Sequence, residues 1–302
     1  MKTIHGINFA SFAPRGALAA RSAKDALRRM VEQTGADTVL LCPMGLQSNA
    51  HSEVIDFQGP ATTGDEELLG ITEYARGLGL RVIWKPTVNC ADGTWRAHIN
   101  FFDYDIPCEP KWRNWFASYE AFQCHFAALA QQTGLEMLVL GCEMTNAERR
   151  EAEWRSLIAS VRGVYDGAVC YNCDKYGEDH VTWWDAVDVI ASSGYYPAGE
   201  IGQNLDRIEQ VIRREQKPFF FAEAGCMAVR GAARLPNDWS LLGRYDPQEQ
   251  KRWLQELFTE CEKRSWVGGF GLWSWPIQMT QRTLYGLEDM PACEVVRTFY
   301  QK

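Results

Sequence analysis

The chain has 302 residues, 46% of them hydrophobic and 23% charged, with no low-complexity stretch, so one globular domain over residues 1–302 with a sizeable core is expected. Its 31 Lys and Arg against 39 Asp and Glu give a formal charge of −8 with no basic cluster, and this excludes the electrostatic footprint of a nucleic-acid binder. No apolar run is long enough for a membrane span or a signal-peptide core, and the ten cysteines lie scattered through apolar runs like small hydrophobes; no membrane partner and a cytoplasmic setting are the expectation.

In chain order, residues 4–10 read as a strand, 18–33 as an amphipathic helix stopped at Gly35, 38–42 as a strand and 65–78 as a helix opening on an acidic turn. Residues 81–87 read as the third strand, 111–132 as a long helix, 136–142 as the fourth strand and 148–164 as a helix rich in exposed charge pairs. Strands follow at 168–172 and 187–192, a helix at 205–214, a strand at 218–222, a helix at 247–264, an eighth strand at 270–273 and a closing helix at 291–300. Eight strands alternating with helices in about 300 residues predict a single (β/α)8 barrel rather than an open doubly wound sheet. No Gly-x-Gly-x-x-Gly follows the first strand and no P-loop occurs.

Two glutamates, Glu143 and Glu223, stand where the apolar runs of the fourth and seventh strands end. A carboxylate is seldom left at the end of a buried strand unless it is paired or used. Strand ends form the floor of a barrel's catalytic face, and two carboxylates facing one another there are the minimum equipment for cleaving a glycosidic bond. Metal chemistry has little support: the five histidines form no ligand cluster, and Cys170 and Cys173 make a Cys-x-x-Cys without a second pair. No metal or organic cofactor is expected.

The loops after the strands are rich in aromatic residues, with Trp95, Phe101 and Phe102, Trp183 and Trp184, Tyr195 and Tyr196, Trp239, Trp273 and Trp275. Indoles offer flat apolar surfaces to the C–H faces of sugar rings, and Asn, Lys and His at the rim meet the hydroxyls. Any one of these tryptophans fits core as well as cleft; Trp154 and Trp253, inside helices, fit core.

The runs Val139-Leu140-Gly141-Cys142-Glu143-Met144, Trp183-Trp184-Asp185, Ser193-Gly194-Tyr195-Tyr196-Pro197, Phe219-Phe220-Phe221-Ala222-Glu223-Ala224-Gly225 and Gly271-Leu272-Trp273-Ser274-Trp275 resemble glycoside hydrolase family 113. Upstream, Val82-Ile83-Trp84-Lys85-Pro86 and Gly93-Thr94-Trp95-Arg96 extend the resemblance, which runs from about Asp65 to Trp275. It implies a (β/α)8 retaining enzyme with its acid/base after the fourth strand and its nucleophile after the seventh, and members that are mainly β-1,4-mannanases. Carried over by position, it makes Glu143 the acid/base and Glu223 the nucleophile, with Tyr195 placed to hydrogen-bond Glu223 and Trp273 as the platform under the sugar being cut. Lys85 is a candidate to bind hydroxyls, and Asn8, Asn89, Trp95, His98, Asn172 and Trp275 are candidate lining residues. Cys142 stands where the wider clan places an Asn that binds the 2-hydroxyl; a thiol is a weaker partner than an amide, which leaves recognition of that hydroxyl open.

The expected activity is therefore hydrolysis of β-1,4-linked manno-oligosaccharides by two glutamates. Cleavage or transglycosylation of another β-hexoside, and a non-catalytic carbohydrate-binding barrel, are the alternatives.

Overall fold

The computed structural model describes residues 1–279 and 284–302. Its strands are β1 (Ile4–Phe9), β2 (Thr38–Leu41), β3 (Met44–Gln47), β4 (Arg81–Trp84), β5 (Thr87–Cys90), β6 (Met137–Cys142), β7 (Ala168–Cys173), β8 (Val189–Ser193), β9 (Phe219–Ala224) and β10 (Val267–Trp275). Its helices are α1 (Arg21–Thr34), α2 (Asp65–Gly77), α3 (Trp112–Thr133), α4 (Glu151–Arg162), α5 (Ile201–Glu215), α6 (Pro247–Glu262) and α7 (Pro291–Tyr300). Eight strands close into a parallel barrel in the order β1-β2-β4-β6-β7-β8-β9-β10, with β10 returning to β1. The expected (β/α)8 architecture is the observed one.

Alternation along the strands builds the interior in layers. Ile4, Leu40, Ile83, Met137, Val139, Cys170, Val189, Ala191, Phe220 and Ala222 form a closed apolar cluster inside the barrel. Above it, toward the C-terminal ends of the strands, the buried residues become polar: Asn8, Lys85, Asn172, Ser193 and Glu223. Burying so many polar groups together is tolerable only because they bond one another, and a chain that maintains such a layer has a use for it. A second, larger apolar cluster fills the space between barrel and helices.

Boundaries shift where local chemistry overrides periodicity. The third predicted strand breaks at Pro86 into β4 and β5, and β2 breaks in the same way at Pro43, before the unanticipated β3. Beyond these prolines β3 and β5 pair with each other alone, as a parallel two-stranded extension above the barrel rim. Helix α4 starts at Glu151 rather than 148, and α5 starts one turn earlier than expected, at Ile201. Helix α6 begins as its sequence suggests, with Pro247 in the first turn and the Asp246 carboxylate accepting from the Gln248 N–H at 3.0 Å.

No α-helix links β7 to β8. A single 3-10 turn, Trp184–Ala186, stands there, and Trp183 and Trp184 fill the layer: Trp183 stacks on Trp154 of α4 at 4.7 Å and lies 4.8 Å from Tyr171 of β7. Both indole N–H groups donate to backbone carbonyls, of Glu148 and Glu178. These two tryptophans are core, as Trp154 and Trp253 are, and offer nothing to a cleft.

Candidate active site

Both strands that carry the glutamates contain one extra residue just before them. On β6 the pairing passes from Val139–Cys170 to Cys142–Asn172, and on β9 from Phe221–Ser192 to Glu223–Ser193. Such bulges re-aim side chains at barrel rims, and here they turn both carboxyl groups inward over the polar layer. Gly141 makes the first bulge possible: its φ is +120°, and a Cβ there would meet the Tyr119 hydroxyl oxygen at 2.5 Å. Glu143 follows with φ +53°, held by its N–H on the Asn172 carbonyl at 2.8 Å.

One carboxylate oxygen of Glu143, one of Glu223 and the Cys142 sulfur all lie within 4.8 Å of one another, and all three residues are buried. Two cations already serve the carboxylates. The Lys85 ammonium donates to Glu223 Oε1, and the Arg96 guanidinium donates from Nη1 to Glu143 Oε2 at 2.8 Å. This is the one cluster with metal-ligand spacing among the described residues, and its charge is balanced by side chains of the protein itself.

The two glutamates are held in different ways. Glu223 accepts from Lys85 and, at 3.1 Å, from the Cys142 thiol on Oε1, and from the Tyr195 hydroxyl on Oε2 at 3.0 Å. Burial alone would raise its pKa, but the charges of Lys85 and Arg96, with the hydrogen bonds from Lys85 and Cys142, outweigh burial and hold the carboxyl below its ordinary value. Glu223 is thus ionised, with one lone pair of Oε2 uncommitted. Both donors to Glu143, Arg96 Nη1 and Trp95 Nε1 (3.0 Å), converge on Oε2. That leaves Oε1 as the atom able to carry a proton toward the cleft. Burial and the negative charge of Glu223 keep the Cys142 thiol far above its usual pKa, so it remains a neutral donor.

The predicted residues divide between cleft and scaffold. Tyr195 meets Glu223 as expected, and Trp273 lies near the floor with the Lys85 ammonium 5.3 Å from its ring centre. Trp95 is 41% exposed and reaches Glu143, while His98, exposed, packs edge-to-face on Trp95 at 5.8 Å on the rim. Lys85 itself is fully buried and serves Glu223. Asn8 is fully buried too: its Nδ2 donates to the carbonyls of Ala222 and Gly271, and its Oδ1 accepts from Cys42, so it laces β1 to β9 and β10 instead of lining the cleft. Asn172, equally buried, donates to Ser193 Oγ at 3.0 Å and Cys142 Sγ at 3.4 Å. Asn89 accepts from Arg96 Nη2 at 2.9 Å. Trp275 has no exposed surface and belongs to the outer core, because the extra residue on β10 between Trp273 and Trp275 changes its facing. Cys170 and Cys173 point into different clusters, one inside the barrel and one outside it, and all ten cysteines are unpaired.

Sequence reasoning missed Arg96, Phe12 and Tyr285. Arg96 sits in a 3-10 turn after β5, its Nε donating to the Val88 carbonyl at 3.0 Å. A lone arginine in a loop has no periodicity to mark it, and the extension that carries it was itself unforeseen. Phe12 lies 5.6 Å from Trp273, and Trp239 lies 6.1 Å from Trp273 and 4.4 Å from Tyr285. These aromatics line a cavity of about 330 Å³ beside Trp273. It opens over β10 and the segment after β1, with Trp273 on the strand opposite β6 in the barrel and Phe12 reaching to 5.8 Å from the Arg96 guanidinium.

The chain matches the family model for Glycoside Hydrolase Family 113 over residues 7–289. Among solved structures it is similar to a β-1,4-mannanase of that family, with 49% identity over the full length of both chains and a TM-score of 0.98. It is also similar to the β-mannanase AaManA from Alicyclobacillus acidocaldarius, with 37% identity, a TM-score of 0.94 and coverage of 100% of this chain and 98% of that one. An uncultured Clostridium sp. β-glucuronidase shares the fold alone, at 12% identity and a TM-score of 0.67, with 99% of this chain matching 50% of that one. A search of curated proteins found no match. With more than nine-tenths of its residues inside the family model and two full-length relatives above 30% identity, this chain is a glycoside hydrolase and belongs to family 113.

Proposed function

We propose that the protein is a retaining β-mannanase that cleaves β-1,4-linked manno-oligosaccharides by double displacement, with Glu223 as nucleophile and Glu143 as acid/base. The proximity of the two carboxyl groups carries the reading: one oxygen of each lies within 4.8 Å of one of the other, which fits the roughly 5–5.5 Å spacing of retaining enzymes better than the roughly 6.5–9.5 Å that accommodates a water in inverting ones. In the first step Glu223 Oε2 attacks C1 as the C1–O bond breaks, and the proton on Glu143 Oε1 passes to the leaving oxygen. In the second, Glu143 takes a proton from water, the water oxygen bonds to C1, and Glu223 departs as a carboxylate.

Surrounding groups fit the same division of labour. Lys85, Cys142 and Tyr195 keep Glu223 ionised and oriented, and Trp95 and Arg96 fix the other carboxyl by one oxygen. Trp273 and Trp239 supply apolar surface for sugar rings over β10, across the barrel from β6, and Phe12 bridges from Trp273 toward Arg96. Since Glu143 faces the leaving group, that side receives the glycone. Mannan as the substrate class follows from the family relatives, both named mannanases. Ten unpaired thiols suit a reducing compartment, where short oligosaccharides rather than polymer are the available substrate.

Incubation with mannobiose to mannohexaose tests the proposal, with NMR used to identify the first anomer released. Release of reducing ends with the β anomer appearing first is expected; no cleavage of any β-linked sugar refutes it. Glu223→Ala should abolish turnover and recover part of it with azide and an activated aryl glycoside. Wild-type rates in that variant would remove the nucleophile role.

A further inference from the structure

We propose that Arg96 donates a hydrogen bond to the 2-hydroxyl of the sugar whose bond is cut, so that one guanidinium both orients Glu143 and reads the substituent at C2. The inference rests on the double-displacement reading above and adds a substrate contact to it.

Attack by Glu223 on C1 brings the hydroxyl on the adjacent carbon next to the Glu223 carboxylate, and hydrogen bonds to that hydroxyl strengthen in the transition state of such enzymes. Few donors at that level are free. The Tyr195 hydroxyl is spent on Glu223 Oε2 and the Trp95 N–H on Glu143. Asn172 and Lys85 are fully buried beneath the carboxylates, Asn172 on Ser193 and Lys85 on Glu223. Cys142 offers only a thiol, a weak donor, already turned to Glu223 Oε1.

Arg96 is placed differently. Its Nε is pinned to Val88 and its Nη2 to Asn89, so the planar fork is held on two sides before any ligand arrives. Nη1 gives one proton to Glu143 Oε2, and toward the nucleophile it meets only the Cys142 sulfur at 3.7 Å, a poor acceptor. That sulfur is itself 3.1 Å from Glu223 Oε1, so this N–H lies between the two carboxylates with nothing stronger than a thiol as its acceptor. The side chain keeps 8% of its surface open where Lys85 keeps 1%.

The test is a comparison of kcat/KM for 2,4-dinitrophenyl β-mannoside and its 2-deoxy counterpart in the wild-type protein, Arg96→Met and Arg96→Lys. The dinitrophenolate leaves without a proton, so a disturbed Glu143 does not affect the first step. For a hydrogen bond from a charged donor, wild type should prefer the hydroxylated substrate by about 10- to 100-fold, and Arg96→Met should erase most of that preference; the loss it causes on both substrates alike reports the missing charge beside Glu143 and Glu223, and the extra loss on the mannoside reports the contact to the 2-hydroxyl. Arg96→Lys, which keeps charge without the fork, should fall between them. Equal losses on both substrates in either variant, or no preference in wild type, overturn the inference. If Arg96→Met does not fold, the ratio in Arg96→Lys decides in the same way. Failure of the broader reading is distinguishable, because the wild-type protein would then also release no reducing ends from mannobiose to mannohexaose.

Discussion

Replacing Lys85 by Met removes the ammonium that faces Glu223 and keeps an unbranched chain of similar length in a fully buried position. Two unit charges about 4 Å apart interact by about 4 kcal/mol at an effective dielectric of about 20. At about 1.4 kcal/mol per pH unit, loss of the whole interaction is worth about 3 units in the titration of Glu223. Arg96, Cys142 and Tyr195 continue to favour its carboxylate form, so the expected rise is about 2 units. A positive neighbour stabilises the ionised form; its removal therefore raises the pKa. In the proposed mechanism attack on C1 requires that ionised form, so the acid limb of the kcat/KM profile should move to higher pH by about the same 2 units, with activity returning on the alkaline side. Stability changes in parallel. Breaking a buried pair costs about 3 to 5 kcal/mol while the partner stays charged, and part of this is recovered as pH falls and Glu223 takes up a proton. Initial rates on an activated aryl β-mannoside across the acid and neutral range, with urea denaturation at two pH values, measure both effects. An acid limb displaced by less than about half a unit would show that Lys85 does not set the charge state of Glu223.

Three further outcomes are expected. Tyr195→Phe removes one hydrogen bond to an ionised carboxylate and should lower kcat by about 10- to 100-fold with KM and melting temperature little changed; an unaffected kcat argues against a Tyr195 role in orienting Glu223. Glu148 is buried, and burial, opposed by the hydrogen bond from Tyr171 and reinforced by Asp174 and Glu178, raises its pKa to about 8. Its folded-state value exceeds the unfolded one, so stability is lost as pH climbs between about 5 and 8, and Glu148→Gln should gain on wild type by up to about 1.4 kcal/mol per pH unit there; a constant difference in denaturation free energy would contradict this. Gly141→Ala should destabilise by about 2 to 4 kcal/mol and depress activity with it, since the new methyl meets the Tyr119 hydroxyl at a backbone angle that disfavours side chains. Wild-type melting and rates would mean that β6 can relax its bulge without moving Glu143.

Much of the candidate site was legible because strand ends are legible. An apolar run that stops at a carboxylate puts Glu143 and Glu223 on one face of a barrel whatever the loops do. Tyr195 and Trp273 became candidates through family resemblance; Tyr195 hydrogen-bonds Glu223, and Trp273 lies beside the Lys85 ammonium that Glu223 also binds. Asn8 and Trp275 were misjudged for one reason: whether a strand-end residue faces the cleft depends on register, and the extra residue on β10 is invisible in the sequence. Trp183 and Trp184 looked like loop aromatics because nothing in their neighbourhood reveals that the β7–β8 connection lacks a helix whose place they take.

By itself, then, the sequence determined the alternation of strands and helices, the closure implied by eight such units, and the presence of two acidic groups at the catalytic end. Those properties follow from local hydrophobic period and from the cost of burying charge, which act over a few residues at a time. Only the tertiary structure decided how the two glutamates differ. The approach of Lys85 to one and Arg96 to the other joins residues 138 and 47 positions apart, and the β3–β5 extension that anchors Arg96 through Val88 and Asn89 exists because Pro43 and Pro86 divert two neighbouring strands together. Charge pairing at that range is set by packing in three dimensions, and no pattern along the chain records it.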